Sequence, residues 1–209
     1  MNNQRQTNLS KRPNNGLLVV LSSPSGGGKT TVIKQITAEN PAEFVYSVSM
    51  TTRPKRAGEV EGRDYLFVTP AEFHRLIDAD ELIEYERVHD WYYGTPKSAL
   101  EAPLRDGKTI LMDLDVFGAV ELKRIFGNRA LLIFLKPPDE KLLLERLKAR
   151  STESAEQIER RLQRLPKEMA MASQFDAVVV NDKLADTTKR VIELIQEKRM
   201  TLHKMEVNP

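Results

Sequence analysis

The chain has no cysteine, so neither a disulfide framework nor a thiolate metal site is open to it. That suits a reducing compartment, and the cytoplasm is the expected location. Charge of one sign is also missing: 32 Lys and Arg stand against 30 Asp and Glu, a net +2 over 209 residues. No global basic field points to nucleic acid. Long apolar runs are absent too. Residues 17–21 and 130–135 form the longest, far short of the roughly 20 residues a membrane helix needs. No membrane partner is expected. Internal repeats and low-complexity linkers are missing. Residues 1–15 are polar, lack the apolar stretch of a signal peptide, and read as a disordered tail.

What remains is an ordinary soluble composition, 40% hydrophobic and 30% charged. A chain of this length removes roughly 70% of its unfolded surface from water on folding. It fits one domain, about residues 16–205, with a lobe inserted in it.

Order begins at Leu17. The run Leu17-Leu18-Val19-Val20-Leu21 suits a strand buried on both faces. Val32, Ile33 and Ile36 at helical spacing predict a helix over 29–38. Residues 44–49 read as a second strand. Thr69-Pro70-Ala71-Glu72 is a capping box with proline at the first helical position, opening a helix to about Asp78. Residues 82–88 alternate as a strand, with Leu82, Glu84 and Glu86 on one face. Buried strands follow at 110–113 and 130–135, trailed by helices at 117–126 and 139–148. A second capping box at Ser154 opens a helix towards Ser173. A short strand at 177–180 and an amphipathic helix over 186–200 close the chain.

Apolar strands alternating with helices predict an α/β fold, a parallel sheet flanked by helices. Residues 49 to about 93 break the rhythm and suit a small lobe. Active sites of such sheets lie at the carboxyl ends of the strands, and the motifs fall there.

The first is Ser23-Pro24-Ser25-Gly26-Gly27-Gly28-Lys29-Thr30. Gly28, Lys29 and Thr30 match the end of the nucleotide-binding pattern G-x-x-x-x-G-K-[ST], with Ser23 in place of its first glycine. Successive glycines let backbone N–H groups turn inward around phosphates. The helix N-terminus adds donors and its dipole. Lys29 can reach the β- and γ-phosphates, and Thr30 can place a hydroxyl on Mg²⁺. Asp113 ends an apolar strand, where a carboxylate for the water shell of that Mg²⁺ is expected. Asp115, two residues on, is expected to point the same way on the strand. Capping of the next helix is the alternative role for these aspartates.

The second motif runs from Ser49 to Tyr65. Pro54 biases Arg53 away from helix, and Gly58 and Gly62 favour turns, so Arg53 and Arg56 sit on a shaped loop. An arginine fork matches a phosphate's oxygens. Two arginines with a phenol make a phosphomonoester clamp, against the alternative of a solvated basic loop.

The spacing Thr51-Thr52-Arg53-x-x-Arg56-x-x-Glu59-x-x-Gly62-x-x-Tyr65-x-Phe67 resembles the signature of guanylate kinases. So does Ser23–Thr30, since bacterial members commonly carry a small residue at its start. The resemblance continues through Ile83-Glu84-Tyr85, Tyr92-Tyr93-Gly94-Thr95, Ile110–Asp115 and Val180-Asn181-Asp182. It implies the reaction ATP + GMP ⇌ ADP + GDP with Mg²⁺, with dGMP as a further substrate. The implied fold is a P-loop NTPase core, about residues 16–48 and 96–205. An inserted mixed α/β GMP-binding lobe would span about 49–95, and a helical lid about 141–167. The resemblance assigns Arg53, Arg56, Tyr65 and Tyr93 to the GMP phosphate. It assigns Ser49, Glu84, Thr95 and Asp115 to guanine, and Asn181 to ATP. Independently, guanine's N1–H and 2-amino group are adjacent donors that a carboxylate matches. Tyr92 and Tyr93 are also candidates for lobe core.

Residues 141–167 hold eight Lys or Arg against four Glu. In the family, arginines matching Arg146, Arg150 and Arg161 reach the ATP phosphates; Ser151 stands where a hinge glycine is common. A solvated helix face is the other reading of these charges. Lys29, Arg56, Arg150 and Arg161 are then the groups expected to stabilise charge on the transferred phosphoryl. No role in the chemistry falls to His74, His89 or His203. Two other readings stay open: a guanylate-kinase-like module that binds phosphopeptides, and a kinase of another phosphorylated small molecule. Oligomeric state is not legible.

Overall fold

The computed structural model describes residues 16–24, 26–88, 90–139, 143 and 155–207, excluding the side chains of 155–158, 160 and 161. The N-terminal tail, Ser25, His89, and residues 140–142 and 144–154 lie outside the described residues; these include Arg146, Arg150, about half of the segment read as a lid and most of the helix expected over 139–148. The side chain of Arg161 lies outside them as well.

The core is a five-stranded parallel sheet in the order β2-β7-β1-β8-β9. Its strands are β1 (Leu17–Ser22), β2 (Phe44–Tyr46), β7 (Thr109–Asp113), β8 (Ala130–Lys136) and β9 (Ala177–Val180). Strand β1 lies between β7 and β8, with Val19 paired to Leu111 on one side and Leu131 on the other. Its residues alternate between two cores. Leu18 and Val20 pack with Leu100, Leu104, Ala119 and Leu122, which lie on helices α3 (Ser98–Arg105) and α4 (Val116–Phe126). Leu17, Val19 and Leu21 pack with Val32, Ile33 and Ile36 of α1 (Lys29–Glu39) and with Val191 and Ile195 of α6 (Leu184–Val207). Leu17–Leu21, covered on both faces, are all apolar; the strand's one polar side chain, Ser22, stands at its carboxyl end.

Between β2 and α3 the chain builds a second sheet in the order β4-β3-β6-β5. It comprises β3 (Met50–Thr51), β4 (Leu66–Phe67), β5 (Leu82–Val88) and β6 (Trp91–Pro96). Helix α2 (Pro70–Asp78) covers it through Phe73 and Leu76. The Thr69 hydroxyl caps α2 by accepting from the Glu72 N–H at 3.2 Å. Glu72 pairs with Arg75 in place of the reciprocal bond. Tyr92 stacks on Phe73 with centroids 5.4 Å apart and is lobe core. Helix α5 (Ala155–Ala170) returns the chain towards β9.

Two expectations on element limits are corrected, and one helix is added. The second strand stops at Tyr46, although Ser47 N–H still bonds to Leu111 O at 2.9 Å. The last helix runs on to Val207. Helix α3 is absent from the sequence reading because Pro103 argues against a helix there; it holds through Leu100 and Leu104, one turn apart and both buried. Among the described residues no helix is long and apolar enough to cross a membrane.

Candidate active site

The glycine loop joins β1 to α1. Gly28 caps α1 with φ 85°, a left-handed backbone that other residues adopt only at a cost. Gly27 is needed for space: a Cβ there would lie 2.3 Å from Ser23 Oγ. Lys29 Nζ turns back into the loop and donates to the carbonyl and hydroxyl oxygens of Ser23, each at 3.3 Å. Asn181, just past β9, donates its side-chain N–H to Gly27 O at 2.7 Å and is buried. It braces the loop from behind. Gly27→Ala should push Ser23 against Lys29 at an overpacking cost of about 1–3 kcal/mol. The expected outcome is a weakening of ATP-analogue affinity by about tenfold or more, read by calorimetric titration, with the unfolding midpoint lowered by about 2–4 °C per kcal/mol of that cost.

At the end of β7, Asp113 accepts from Thr30 Oγ1 at 2.7 Å and from Tyr46 OH at 2.8 Å. Tyr46 was not a sequence candidate; only its place at the end of β2 hints at it. Burial first, and then Asp113, push its phenol well above the usual range, so it stays a donor. A hydroxyl and a carboxylate oxygen side by side at the loop's mouth are hard ligands suited to Mg²⁺. Among the described residues no group of three or more His, Cys, Asp or Glu could cage a metal. Such a site suits an ion that arrives with phosphates and keeps its waters.

Asp115 does not share the direction of Asp113, contrary to the expectation from their spacing. Strand β7 ends at Asp113, and Asp115 is the N-cap of α4. Its Oδ1 accepts from the N–H groups of Phe117 at 2.9 Å and Gly118 at 2.8 Å. Its Oδ2 is buried without a protein donor.

The arginine loop is tightly tied. Arg53, 7% exposed, places both terminal nitrogens on Glu59, at 2.7 and 3.1 Å, and lies over the rings of Tyr65 and Phe67. Glu59 also accepts from the backbone N–H of Arg56 at 2.8 Å, and these donors hold its carboxyl below the usual range against the opposing effect of burial. Glu59 thus orients the fork of Arg53 and shapes the loop, a partnership the spacing alone did not suggest. Tyr65 meets Tyr93 edge-on, with centroids 5.9 Å apart. Asp64 anchors the same loop to the core: it accepts from Lys34 of α1 and from Arg63 and Val60 N–H, and the Lys34 bond first of all holds its carboxyl far below the usual range.

Glu84 is 6% exposed, against the alternative that it lies on the surface. The β5–β6 register pairs it with Thr95, whose hydroxyl donates to its Oε1 at 2.7 Å. A bulge between Leu82 and Glu84 sets that register. Burial pushes Glu84 up to about 7, with Asp115 adding to the rise and Thr95 opposing it. Gly118 lets the carboxylate approach α4, since a Cβ there would lie 3.0 Å from Glu84 Oε2. Ser49 is buried at the start of the same sheet. The structure therefore brings Glu84, Thr95 and Asp115 together on one side. It brings Lys29, Thr30, Asp113 and Asn181 together at the glycine loop, with Arg53, Tyr65 and Tyr93 clustered on the lobe.

A family model described as Guanylate kinase matches residues 15–198. A guanylate kinase of Wolbachia sp. subsp. Brugia malayi is 41% identical over 187 residues, covering 90% of this chain and 95% of the relative. One of Gloeobacter violaceus is 46% identical over 180 residues, covering 86% and 87%. The crystal structure of guanylate kinase from Anaplasma phagocytophilum superimposes with a TM-score of 0.72 at 32% identity, covering 88% of this chain and 87% of that one. The family model, the relatives and the solved structure agree over nearly the whole chain: it belongs to the guanylate kinase family.

Proposed function

We propose that the protein transfers the γ-phosphoryl group of ATP to GMP, and to dGMP, giving ADP and the nucleoside diphosphate. The observation that carries this reading is Glu84. A buried carboxylate set by Thr95 beside the N-terminus of α4 is a costly arrangement unless a ligand supplies donors. Guanine supplies them at N1 and N2.

In this reading the second sheet, about residues 49–95, is the GMP-binding lobe. Ser49, Glu84, Thr95 and Asp115 receive the base, and Arg56, Tyr65, Tyr93 and Arg53 receive the phosphate. Ser23–Thr30 and Asn181 hold ATP, and residues 141–167 form a lid whose Arg146, Arg150 and Arg161 reach its phosphates; for the lid the support is the family resemblance alone. Thr30, and Asp113 through water, would hold Mg²⁺, which neutralises charge on the ATP phosphates when bound. The proposed location is the cytoplasm.

The chemistry needs positioning more than a covalent catalyst. An oxygen of the GMP phosphate attacks the γ-phosphorus as the bond to the β–γ bridging oxygen breaks, and ADP leaves with that electron pair. The attacking oxygen is already ionised at neutral pH, so no general base is required. Lys29, Arg56, Arg150 and Arg161 stabilise charge on the transferred group. Closure of lobe and lid keeps water from the γ-phosphorus.

A coupled ADP-release assay with GMP, dGMP, AMP, CMP and UMP tests the reading. GMP and dGMP should be turned over and the other three should stay near background. AMP or UMP used as well as GMP would overturn it.

A pH dependence follows from Glu84. Its carboxylate accepts guanine's donors, while the protonated acid presents a donor in their way. With the group raised to about 7, kcat/KM for GMP should fall as pH drops through that value. The step should vanish in Glu84→Gln. A step kept in that variant would belong to the substrate phosphate, whose own second ionisation lies near 6.

A further inference from the structure

Glu86 lies two residues beyond Glu84 on β5, so both side chains project to the same face, towards the N-terminus of α4. Its Oε2 is buried and has no protein donor, and the same holds for Asp115 Oδ2. Burial first, and then the nearby Asp115 carboxyl, raise the Glu86 carboxyl above its usual range. On its other side Glu86 is held by Arg164 of α5, at 3.6 Å from Oε1, and Arg164 is itself held by Glu168 at 3.6 Å. Among the described residues, the charged groups around Glu86 are Glu84 on its own strand, Asp115 on α4, and the Arg164–Glu168 pair on α5.

Two facing acceptors with no donor between them cannot both stay charged and dry. Glu86 Oε2 and Asp115 Oδ2 are therefore two buried acceptors that await a donor. A ligand's amino group can supply it, directing one N–H towards these oxygens while the other is held elsewhere in the site.

We infer that Glu86 is a specificity-determining residue of this site: its buried oxygen, with that of Asp115, receives the hydrogen of guanine's 2-amino group that points away from N1, while Glu84 takes N1–H and the other amino hydrogen. The inference rests on the GMP reading above. It makes three carboxylates the readers of three hydrogens. Arg164 offsets one of the three charges and orients Glu86 from the side away from the base.

The test compares GMP with IMP, which keeps N1–H and lacks only the 2-amino group. Steady-state kcat/KM is measured for both in the wild type, Glu86→Ala and the isosteric Glu86→Gln, with ATP saturating. The GMP:IMP ratio should fall by about ten- to hundredfold in Glu86→Ala, the worth of a hydrogen bond to a charged group. The loss should come from KM for GMP, while IMP changes by less than about threefold. Glu86→Gln should show a fall in the same direction and serves as the variant if alanine does not fold. An unchanged ratio in a folded variant would overturn the inference. So would equal losses for GMP and IMP, which make Glu86 a strut between β5, α4 and α5. A wild type that turns over neither nucleotide would instead remove the GMP reading itself.

Discussion

Lys29→Ala should cut turnover by on the order of a hundred- to a thousandfold while the protein stays folded, the usual loss when a preorganised charge-stabilising group is removed. Lys29 opens α1 and returns its ammonium to within 3.3 Å of both oxygens of Ser23. That puts a positive charge inside the glycine loop, where the β- and γ-phosphates are to lie. Its side chain belongs to neither core, so unfolding should barely notice the change. KM for GMP should hold, because the lobe residues are untouched. The checks are kcat from ADP release and the thermal midpoint of the same preparation. Near-wild-type turnover in a folded variant would remove the glycine loop from the chemistry.

Glu84→Gln should lower kcat/KM for GMP by about ten- to hundredfold, the loss of a charged hydrogen bond. The GMP:AMP ratio should shrink with it. Adenine has no hydrogen at N1 and no 2-amino group, so it leaves the buried acceptors unpaired whether or not Glu84 is charged. KM for ATP should not move. Stability supplies a control. A carboxyl raised to about 7 in the fold adds stability that is complete below the unfolded value and lost as pH rises through the folded one. At pH 8 the fold therefore pays for a charged Glu84, and Glu84→Gln should be no less stable than the wild type. An unchanged GMP:AMP ratio would move base recognition to Asp115 and Ser49.

The parts of this molecule legible in its sequence are those set by local rules. Strand β1 reads as a continuous apolar run because both its faces are covered, and Ser23–Thr30 reads as a phosphate loop because glycines and a helix start stand together. Strands β3 and β4 are two residues each, too short for any period to show. Helix α3 hides behind Pro103. In the site, the legible residues were those carried by the family's spacing. The pairing of Glu84 with Thr95 depends on a hairpin register shifted by a bulge, and the grip of Tyr46 on Asp113 crosses 67 residues of chain. Asp115 leaves the direction of Asp113 because capping α4 ends the strand first. The hold of Glu59 on both ends of the Arg53 fork is likewise made only in the folded loop. The Asp115 cap is local and is open as an alternative in the sequence, whereas the Glu84–Thr95 and Tyr46–Asp113 contacts are tertiary and no pattern of neighbours along the chain encodes them.

The most direct test follows the phosphoryl group itself. The protein is incubated with ATP labelled at the γ-phosphate, GMP and Mg²⁺, and the nucleotides are separated. Label should move to the β-phosphate of GDP in step with ADP, and little should reach inorganic phosphate while GMP is present. Label released only as inorganic phosphate, or remaining on ATP beside bound GMP, would contradict the account.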